Sequence, residues 1–250
     1  IKALPSHYAG DPGFLRRFRR EAQVIAALEH PAIVPVYDFS EHEGVPYLVM
    51  RYVQGRTLKA LLSEQGAPPL GRIVEILRPV CDALAYAHAL GVLHRDIKPS
   101  NVLLSQEGKV FVTDYGLAKM VQSGDSTISQ DRMIGTPQYI SPEQAKGETV
   151  DARTDLYSLG VVLFEMVTGR VPYTADTPFA IVHDHIFSPL PLPSQVDSAV
   201  PPAVEQVILK ALAKSPEDRY QSAGDMFGAL AAAAQVLGVQ PAAPAPPAVP

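Results

Sequence analysis

The chain has 250 residues, of which 47% are hydrophobic and 19% charged, and its formal net charge is −5. This length and composition allow one large domain or two modest domains with a substantial core, and the acidic balance gives no reason to expect nucleic acid as a partner. The only cysteine, Cys81, excludes an internal disulfide and agrees with a reducing compartment.

No segment of the sequence has the length and apolarity of a membrane span. Glu165 interrupts the apolar run around Val161, and the run around Ala231 is short and rich in alanine. The sequence also lacks a signal peptide. Because it begins at Ile1 rather than with methionine, we expect it to be a fragment of a longer protein.

The first fifty residues predict a helix followed by two strands. An apolar stripe at helical spacing marks the helix: Phe14, Phe18, Ile25 and Leu28. Pro31 follows His30 and ends it, because proline disfavours the helical conformation of the preceding residue. Residues 33–39 and 45–53 have strand composition, with a turn at Glu43 and Gly44 between them.

Glu21 falls on the apolar stripe of the first helix. A carboxylate on a buried helix face is costly unless it is paired with a cation. Arg17, one turn earlier, is one available partner. Lys2, at the start of the chain, is a second, although a lysine near a terminus is by itself most often a solvated charge.

Two further helices precede the middle of the chain. Residues 57–62 predict a short helix, and a second apolar stripe at helical spacing ends at Gly91. Pro79 lies inside this second helix and should kink it. We expect Cys81 and His88, on the same helix, to be structural.

Four polar side chains gather between residues 94 and 116. The sequence reads H-R-D-I-K-P-S-N and then D-Y-G, separated by strand-like residues 102–104 and 110–112. Two short strands would bring the four groups to one mouth: Asp96, Lys98, Asn101 and Asp114. Oxygen ligands suit Mg²⁺, an ammonium suits phosphate, and a spare carboxylate can accept a proton. The alternative is a polar turn whose side chains cap backbone groups.

The remaining sequence predicts a polar loop, several helices and a linker. Residues 117–135 are rich in Ser, Gly and Asp and indicate a mobile loop. Residues 155–167 are apolar on nearly all sides, which is typical of a buried helix. Further helices are predicted at 177–187, 202–214 and 222–237, and the Pro/Ala-rich residues 240–250 predict a semi-rigid linker.

The paired motifs H-R-D-x-K-x-x-N and D-Y-G resemble the catalytic loop and metal-binding turn of eukaryotic-like (Hanks-type) Ser/Thr protein kinases of bacterial style. Tyr115 replaces the Phe that is common in the second motif. The resemblance, over about residues 1–237, implies an α+β fold of two lobes. We expect a small β-rich lobe without its first two strands at 1–53, a large helical lobe at 54–239, and the linker at 240–250.

The resemblance assigns roles to the four polar groups and to their neighbours. Asp96 would be the base or orienting group for the substrate hydroxyl, and Lys98, typical of Ser/Thr-directed members, would steady the transferred phosphate. Asn101 and Asp114 would hold Mg²⁺. Lys2 would hold the ATP phosphates and pair with Glu21 across a cleft. The adenine of ATP would lie beside four residues: Met50, Arg51, Val53 and Leu103.

The polar loop at 117–135 matches the activation segment of the family. In relatives, the arginine at the position of Arg95 pairs with a phosphate on that segment. We therefore expect phosphorylation at Thr127, with Ser126 or Ser129 as substitutes. The alternative is that these are ordinary loop hydroxyls.

Four other residues have structural roles in the family. Thr136 would contact the catalytic loop, and Asp155 would cap its helix and bond the backbone of that loop. Arg219 would form a buried ion pair with Glu143. The alternative for Arg219 is a surface position in a polar turn.

The function implied by the resemblance is Mg²⁺- and ATP-dependent phosphorylation of Ser and Thr on proteins, including the chain itself. We expect a cytoplasmic location, a kinase dimer as one assembly, and membrane tethering only through sequence outside this chain. The Gly-rich motif G-x-G-x-x-G is absent from the sequence, so the phosphate lid would lie upstream, and activity of the fragment would depend on it.

Two alternatives to this function stay open. The first is a pseudokinase that binds nucleotide as a scaffold, which the presence of all the checked polar positions argues against. The second is a small-molecule phosphotransferase of kinase-like fold. The activation segment and the S-P-E sequence at 141–143 argue against it, because a small substrate needs no peptide-docking surface.

Overall fold

The computed structural model of the protein describes residues 1–3, 12–43, 45–115 and 137–238. The described strands are β1 Lys2–Ala3, β2 Val36–His42, β3 Val45–Met50, β4 Gly55–Thr57, β5 Val102–Ser105 and β6 Val110–Val112. The described helices are α1 Pro12–Ala26, α2 Leu58–Gln65, α3 Leu70–Ala89, α4 Pro142–Lys146, α5 Ala152–Thr168, α6 Pro178–Phe187, α7 Pro193–Val196, α8 Pro202–Ala211 and α9 Ala223–Val236.

The small lobe is an antiparallel sheet covered by one helix. Its strand order is β1-β3-β2, and Lys2 lies opposite Leu48 in the register of β1 and β3. Helix α1 packs on this sheet through buried apolar side chains such as Phe18 and Ile25. The strand β1 therefore holds Lys2 beside the middle of the sheet.

A second antiparallel sheet, in the order β4-β5-β6, carries the polar motifs. Leu103 of β5 lies opposite Phe111 of β6, so the segments before β5 and after β6 meet at one end. A bridge between Ile33 and Val112 joins this sheet to the small lobe. The hairpin therefore positions residues 96–101 next to Asp114.

The large lobe is built around α5, which is buried along most of its length, as its apolar composition predicts. The side chain of Asp151, not that of Asp155, caps its first turn. The expected capping role of Asp155 is therefore wrong, because the helix begins at Ala152, three residues earlier. Gly169 ends the helix in the left-handed conformation with φ 77°. Helix α3 packs against both α5 and α9. Pro79 lies inside α3, and the helix continues past it to Ala89.

The prediction of an α+β, two-lobed fold is confirmed, and each helix predicted after residue 56 is present. The boundaries differ by a few residues. Strand β3 ends at Met50, opposite Val36. The amide of Arg51 still donates to the carbonyl of Pro35, but proline has no amide hydrogen for the return bond, so the ladder stops there. Within the described residues, no helix is long and apolar enough to cross a membrane.

Helix α5 approaches the end of α8 so closely at Gly160 that a Cβ atom would lie 2.9 Å from the Ala211 Cβ. We therefore expect Gly160→Ala to lower the free energy of unfolding by about 1–3 kcal/mol through overpacking. Gly228, in α9, is the matched control, because a Cβ there meets nothing within 4 Å. Gly228→Ala should raise stability by about 0.5–1 kcal/mol. Urea unfolding measures the free energy of unfolding of both variants. Equal changes in the two variants would contradict the close approach of α5 and α8 at Gly160.

Candidate active site

The buried carboxylate of Asp155, in the first turn of α5, holds the start of the catalytic loop. Its Oδ2 atom accepts a hydrogen bond from the amide of His94 at 2.8 Å, and its Oδ1 atom accepts one from the amide of Arg95 at 2.7 Å. Arg95 adopts the left-handed conformation with φ 66°, which is uncommon for a side chain larger than glycine. The structure thus brings Asp155 to the loop backbone, as the family resemblance implies.

His88 is a site residue to which sequence reasoning assigned no specific contact. Its Nε2 atom lies 2.7 Å from Oδ2 of Asp155, and its side chain is nearly buried. The only signal in the sequence was a polar residue near the apolar face of α3. His88 therefore connects α3 to the carboxylate that holds the catalytic loop.

The aromatic rings of His94 and Tyr115 pack beneath the loop. The centroids of the two rings are 4.6 Å apart, and the His94 Nε2 atom contacts the carbonyl oxygen of Thr113 at 2.9 Å. His94 is fully buried, so its place is in the core. Among the described residues the buried hydroxyl of Tyr115 has no hydrogen-bond partner, and burial raises the pKa of Tyr115 well above its ordinary value.

Asp96, Lys98 and Asn101 form one connected group at the mouth of the β5–β6 hairpin. The Lys98 Nζ atom lies 2.7 Å from the Oδ2 atom of Asp96. The Nδ2 atom of Asn101 donates to the carbonyl of Asp96 at 2.8 Å and to its Oδ2 atom at 3.1 Å. Asp96 and Lys98 each remain about one-third exposed. A carboxylate and an ammonium are thus both accessible from solvent.

Asp114 lies next to this group, because the amide of Thr113 donates to the carbonyl of Asn101 at 3.0 Å. Asn101 engages its Nδ2 atom with Asp96, so its Oδ1 atom is the end of the amide that can serve as a metal ligand. One carboxylate and one amide oxygen suit Mg²⁺, which usually keeps several water and phosphate oxygens as well. No described cluster has three or more His, Cys, Asp or Glu side chains arranged to hold a metal.

Lys2 contacts Asp114 rather than Glu21. Its Nζ atom lies 2.5 Å from the Oδ2 atom of Asp114, and an ion pair of Lys2 with Glu21 is not among the described contacts. Glu21 instead lines a cleft between α1 and the loop after α3, together with Val92 and Arg95. The expected Lys2–Glu21 pair is thus not formed in this structure, because the pairing of β1 with β3 directs Lys2 to the mouth of the hairpin.

Of the four residues expected around adenine, Met50 lines the same cleft as Asp114. This cleft is small and also includes Thr113 and Tyr115. Leu103 and Val53 are half-buried, whereas Arg51 is exposed and its guanidinium carbon lies 5.3 Å from the centroid of the Phe111 ring. The apolar side chains that line the cleft with Asp114 include Val36, Leu48 and Met50, and they form an apolar wall next to the polar group.

The segment at residues 137–141, here called the docking segment, lies between the undescribed stretch and α4. Ser141 forms a capping box with Gln144 at the start of α4. The Nε2 atom of Gln144 also donates to the carbonyl of Arg95 at 2.9 Å. Sequence reasoning missed Gln144, whose only signal was its place three residues after a helix-capping serine. This side chain ties the docking segment to the catalytic loop.

Glu143 and Arg219 form a buried ion pair below the docking segment. Two guanidinium nitrogens of Arg219 lie 2.8 Å from the two carboxylate oxygens of Glu143. Thr154 donates a further hydrogen bond of 2.7 Å. Burial alone would raise the pKa of Glu143, but the hydrogen bonds from Arg219 and Thr154 hold it below its ordinary value. The surface alternative for Arg219 is therefore wrong, because its side chain is fully buried.

The remaining predicted residues of the activation segment lie outside the described residues. They are Ser126, Thr127, Ser129 and Thr136. Gly116 of the D-Y-G motif also lies outside the described residues.

Comparison with known proteins gives concordant matches. Residues 2–229 match the family model described as the protein kinase domain. The chain is 47% identical over 232 residues to the serine/threonine-protein kinase PknB of Mycolicibacterium smegmatis, covering 90% of this chain and 37% of that protein. It is 46% identical over 232 residues to PknB of Mycobacterium tuberculosis H37Rv, again covering 90% of this chain and 37% of that protein.

A probable serine/threonine-protein kinase of Streptomyces coelicolor, SCO3848, is 46% identical over 231 residues, covering 90% of this chain and 34% of that protein. The chain thus spans little more than a third of the length of these relatives.

We expect Glu143→Gln to lower the free energy of unfolding by about 3–5 kcal/mol at pH 7, because the Arg219 guanidinium would stay buried without its counterion. Since the folded-state pKa of Glu143 is lowered, its stabilising effect is present above the ordinary carboxyl pKa and lost as pH falls through the folded-state pKa. The difference from the parent should therefore shrink with acidification, as measured by urea unfolding between pH 7 and pH 3.

The exposed pair of Arg56 and Glu64, with a similar distance of 3.0 Å, gives a matched control. Glu64→Gln should change the free energy of unfolding by less than about 1 kcal/mol at any of these pH values. If Glu143→Gln lowers the free energy of unfolding no more than Glu64→Gln does, the buried ion pair contributes no more to stability than the exposed one.

Proposed function

The chain belongs to the protein kinase family, and from this premise we propose that it transfers the γ-phosphate of ATP to serine and threonine hydroxyls of proteins, including its own activation segment. The observation that carries the proposal is the convergence of Asp96, Lys98, Asn101 and Asp114 on one solvent-accessible mouth. The relatives named as serine/threonine-protein kinases support it.

Asp96 accepts or orients the proton of the substrate hydroxyl in this proposal. Its carboxylate is held at one oxygen by Asn101 and Lys98, and it is exposed enough to meet an incoming hydroxyl. Lys98 supplies a positive charge near the transferred phosphate. Phosphoryl transfer needs little covalent help, so positioning and charge stabilisation are the main contributions of these side chains.

Asn101 and Asp114 hold Mg²⁺ in this proposal through one amide oxygen and one carboxylate. A metal ion bound there supplies positive charge to the phosphate oxygens of ATP. Lys2, which contacts Asp114 here, holds the phosphates.

The nucleotide base lies against the apolar wall of the mouth. Met50 and Leu103 contact the adenine, and the backbone from Arg51 to Val53 bonds its edge. The half-buried position of Leu103 and Val53 and the cleft lined by Met50 support this assignment. The exposed Arg51 side chain leaves the backbone contacts unaffected.

Activation follows phosphorylation of Thr127, or of Ser126 or Ser129, with Arg95 as the cation that receives the phosphate. Hydrogen bonds to Asp155 and Gln144 hold the left-handed backbone of Arg95. They therefore fix the position from which the Arg95 side chain extends. Thr136, at the end of the same segment, is the residue proposed to link that segment to the catalytic loop.

The partners in this proposal are proteins that present Ser or Thr, with the kinase dimer as one assembly. The catalytic domain acts in the cytoplasm, and any membrane tether comes from sequence outside this chain. The pseudokinase alternative gains no support, because the compared relatives are named as kinases and the polar positions of the motif are present.

Asp96→Asn should reduce autophosphorylation by at least about 10²-fold, because the substrate hydroxyl loses its proton acceptor. Intact mass before and after incubation of the full-length protein with Mg²⁺ and ATP measures this as phosphate-sized increments. The exposed Asp82→Asn, on α3, is the matched control and should behave as the parent. Chelation of the metal should abolish the increments in the parent. Nucleotide binding without increments in any variant would instead establish a pseudokinase.

Thr127→Ala should remove one phosphate from the autophosphorylated protein and lower the initial rate towards a protein substrate by about tenfold, because Arg95 then lacks its phosphate partner. Phosphopeptide mapping and initial-rate assays measure the two effects. Thr149→Ala, at an exposed threonine outside the segment, is the control and should keep both. An unchanged phosphate count and rate in Thr127→Ala would exclude Thr127.

A further inference from the structure

His185, in α6, is a fully buried histidine to which neither the motifs nor the proposed mechanism assigns a role. Its Nε2 atom lies 3.0 Å from the carbonyl oxygen of Gln138 in the docking segment. Its Nδ1 atom lies 2.9 Å from the hydroxyl of Tyr157 in α5. A backbone carbonyl can only accept, so Nε2 carries the hydrogen and Nδ1 accepts from Tyr157. One imidazole thus bridges two helices and the docking segment.

The surroundings of His185 keep its imidazole neutral. Burial and the nearby Lys214 ammonium lower the pKa of His185 to about 4, against smaller opposing effects of its bond to Gln138 and of Asp184. The ring of Tyr173 packs against the imidazole with centroids 4.9 Å apart. At neutral pH the ring therefore has one hydrogen, on the nitrogen that faces Gln138.

Lys214 fixes the position of His185 from the other side. Its Nζ atom donates to the carbonyl of His185 at 2.7 Å, to the carbonyl of Asp184 at 3.0 Å and to the hydroxyl of Tyr173 at 3.0 Å. These carbonyls end α6, where a cation is favourable. The imidazole is therefore anchored at its backbone and at both ring nitrogens.

Besides Gln144 of α4, three side chains of α5 and α6 hold the docking segment. Besides the bond from His185, the hydroxyl of Ser158 donates to the carbonyl of Tyr139 at 2.7 Å. The hydroxyl of Tyr139 donates to an oxygen of Glu165 at 2.6 Å. Of the three side chains, His185 alone comes from α6, whereas the other two come from α5.

We propose that His185 is a positioning residue for the protein substrate, and that its bond to Gln138 sets the conformation of the docking segment on which the peptide lies. The inference rests on the proposed function for its kinetic consequence. Because Gln144 ties the same segment to the carbonyl of Arg95, a displaced Gln138 carbonyl changes where the peptide lies relative to Asp96. The same displacement does not alter the residues on the nucleotide side of the mouth.

Two substitutions separate the two ring contacts. The side-chain amide of His185→Gln ends near the position of Nε2 and can still donate to Gln138. The shorter amide of His185→Asn ends near Nδ1 and reaches Tyr157 only. The probe is the fastest substrate of the parent in an arrayed library of Ser- and Thr-containing peptides, assayed with the full-length protein.

His185→Asn should raise the KM for this peptide by about tenfold, the size of one lost hydrogen bond. The KM for ATP and the rate of ATP hydrolysis without peptide should change by less than about twofold, because the nucleotide side is unaffected. His185→Gln should stay within about threefold of the parent for all three. Equal peptide KM values in the parent and His185→Asn would overturn the proposal, as would a parallel loss in the ATP parameters.

Hydrogen exchange of the backbone amides tests the same contact without phosphoryl transfer. Amides at 138–141 should exchange about tenfold faster in His185→Asn than in His185→Gln, because their segment loses one anchor, whereas amides of α3 should be unchanged. A parent that phosphorylates no peptide would refute the proposed function alone. Unaltered exchange at 138–141 in His185→Asn would refute the role of His185.

Discussion

The buried carboxylate of Asp155 is the constraint on which the active-site geometry depends. A carboxylate removed from water needs several hydrogen bonds to offset its lost hydration, and Asp155 obtains them from the amides of His94 and Arg95 and from the ring of His88. Each of these donors belongs to a segment that would otherwise be free to move. The electrostatic requirement of one side chain therefore determines where the catalytic loop begins.

Other polar side chains of helix α5 hold separate segments in the same way as Asp155 holds the catalytic loop. Thr154 contacts the buried pair below the docking segment, Asp155 holds the catalytic loop, Tyr157 meets the imidazole of α6, and Ser158 holds the docking segment itself. The ring of Tyr157 also lies 4.9 Å from the guanidinium carbon of Arg219. A helix buried on all sides can have polar contacts in several directions, and α5 uses them to set the relative positions of separate loops.

The small lobe is less constrained than the large lobe. One of its ammonium groups has two possible carboxylate partners. This group is the Lys2 ammonium, the candidates are Asp114 and Glu21, and in this structure Lys2 contacts Asp114. Lys2 is partly exposed, so the energy of its ion pair with Asp114 is modest.

The sequence by itself determined the family, the buried helix at 155–167 and the four polar groups of the mouth, because these depend on local motifs and on periodicity along the chain. The tertiary structure alone decided which partners three other polar side chains meet, because no local motif indicates them. His88, Gln144 and His185 contact residues that are 67, 49 and 47 positions away in the chain, respectively. Periodicity shows that such a residue lies on a buried or exposed face, but its partner depends on how distant helices and loops pack together.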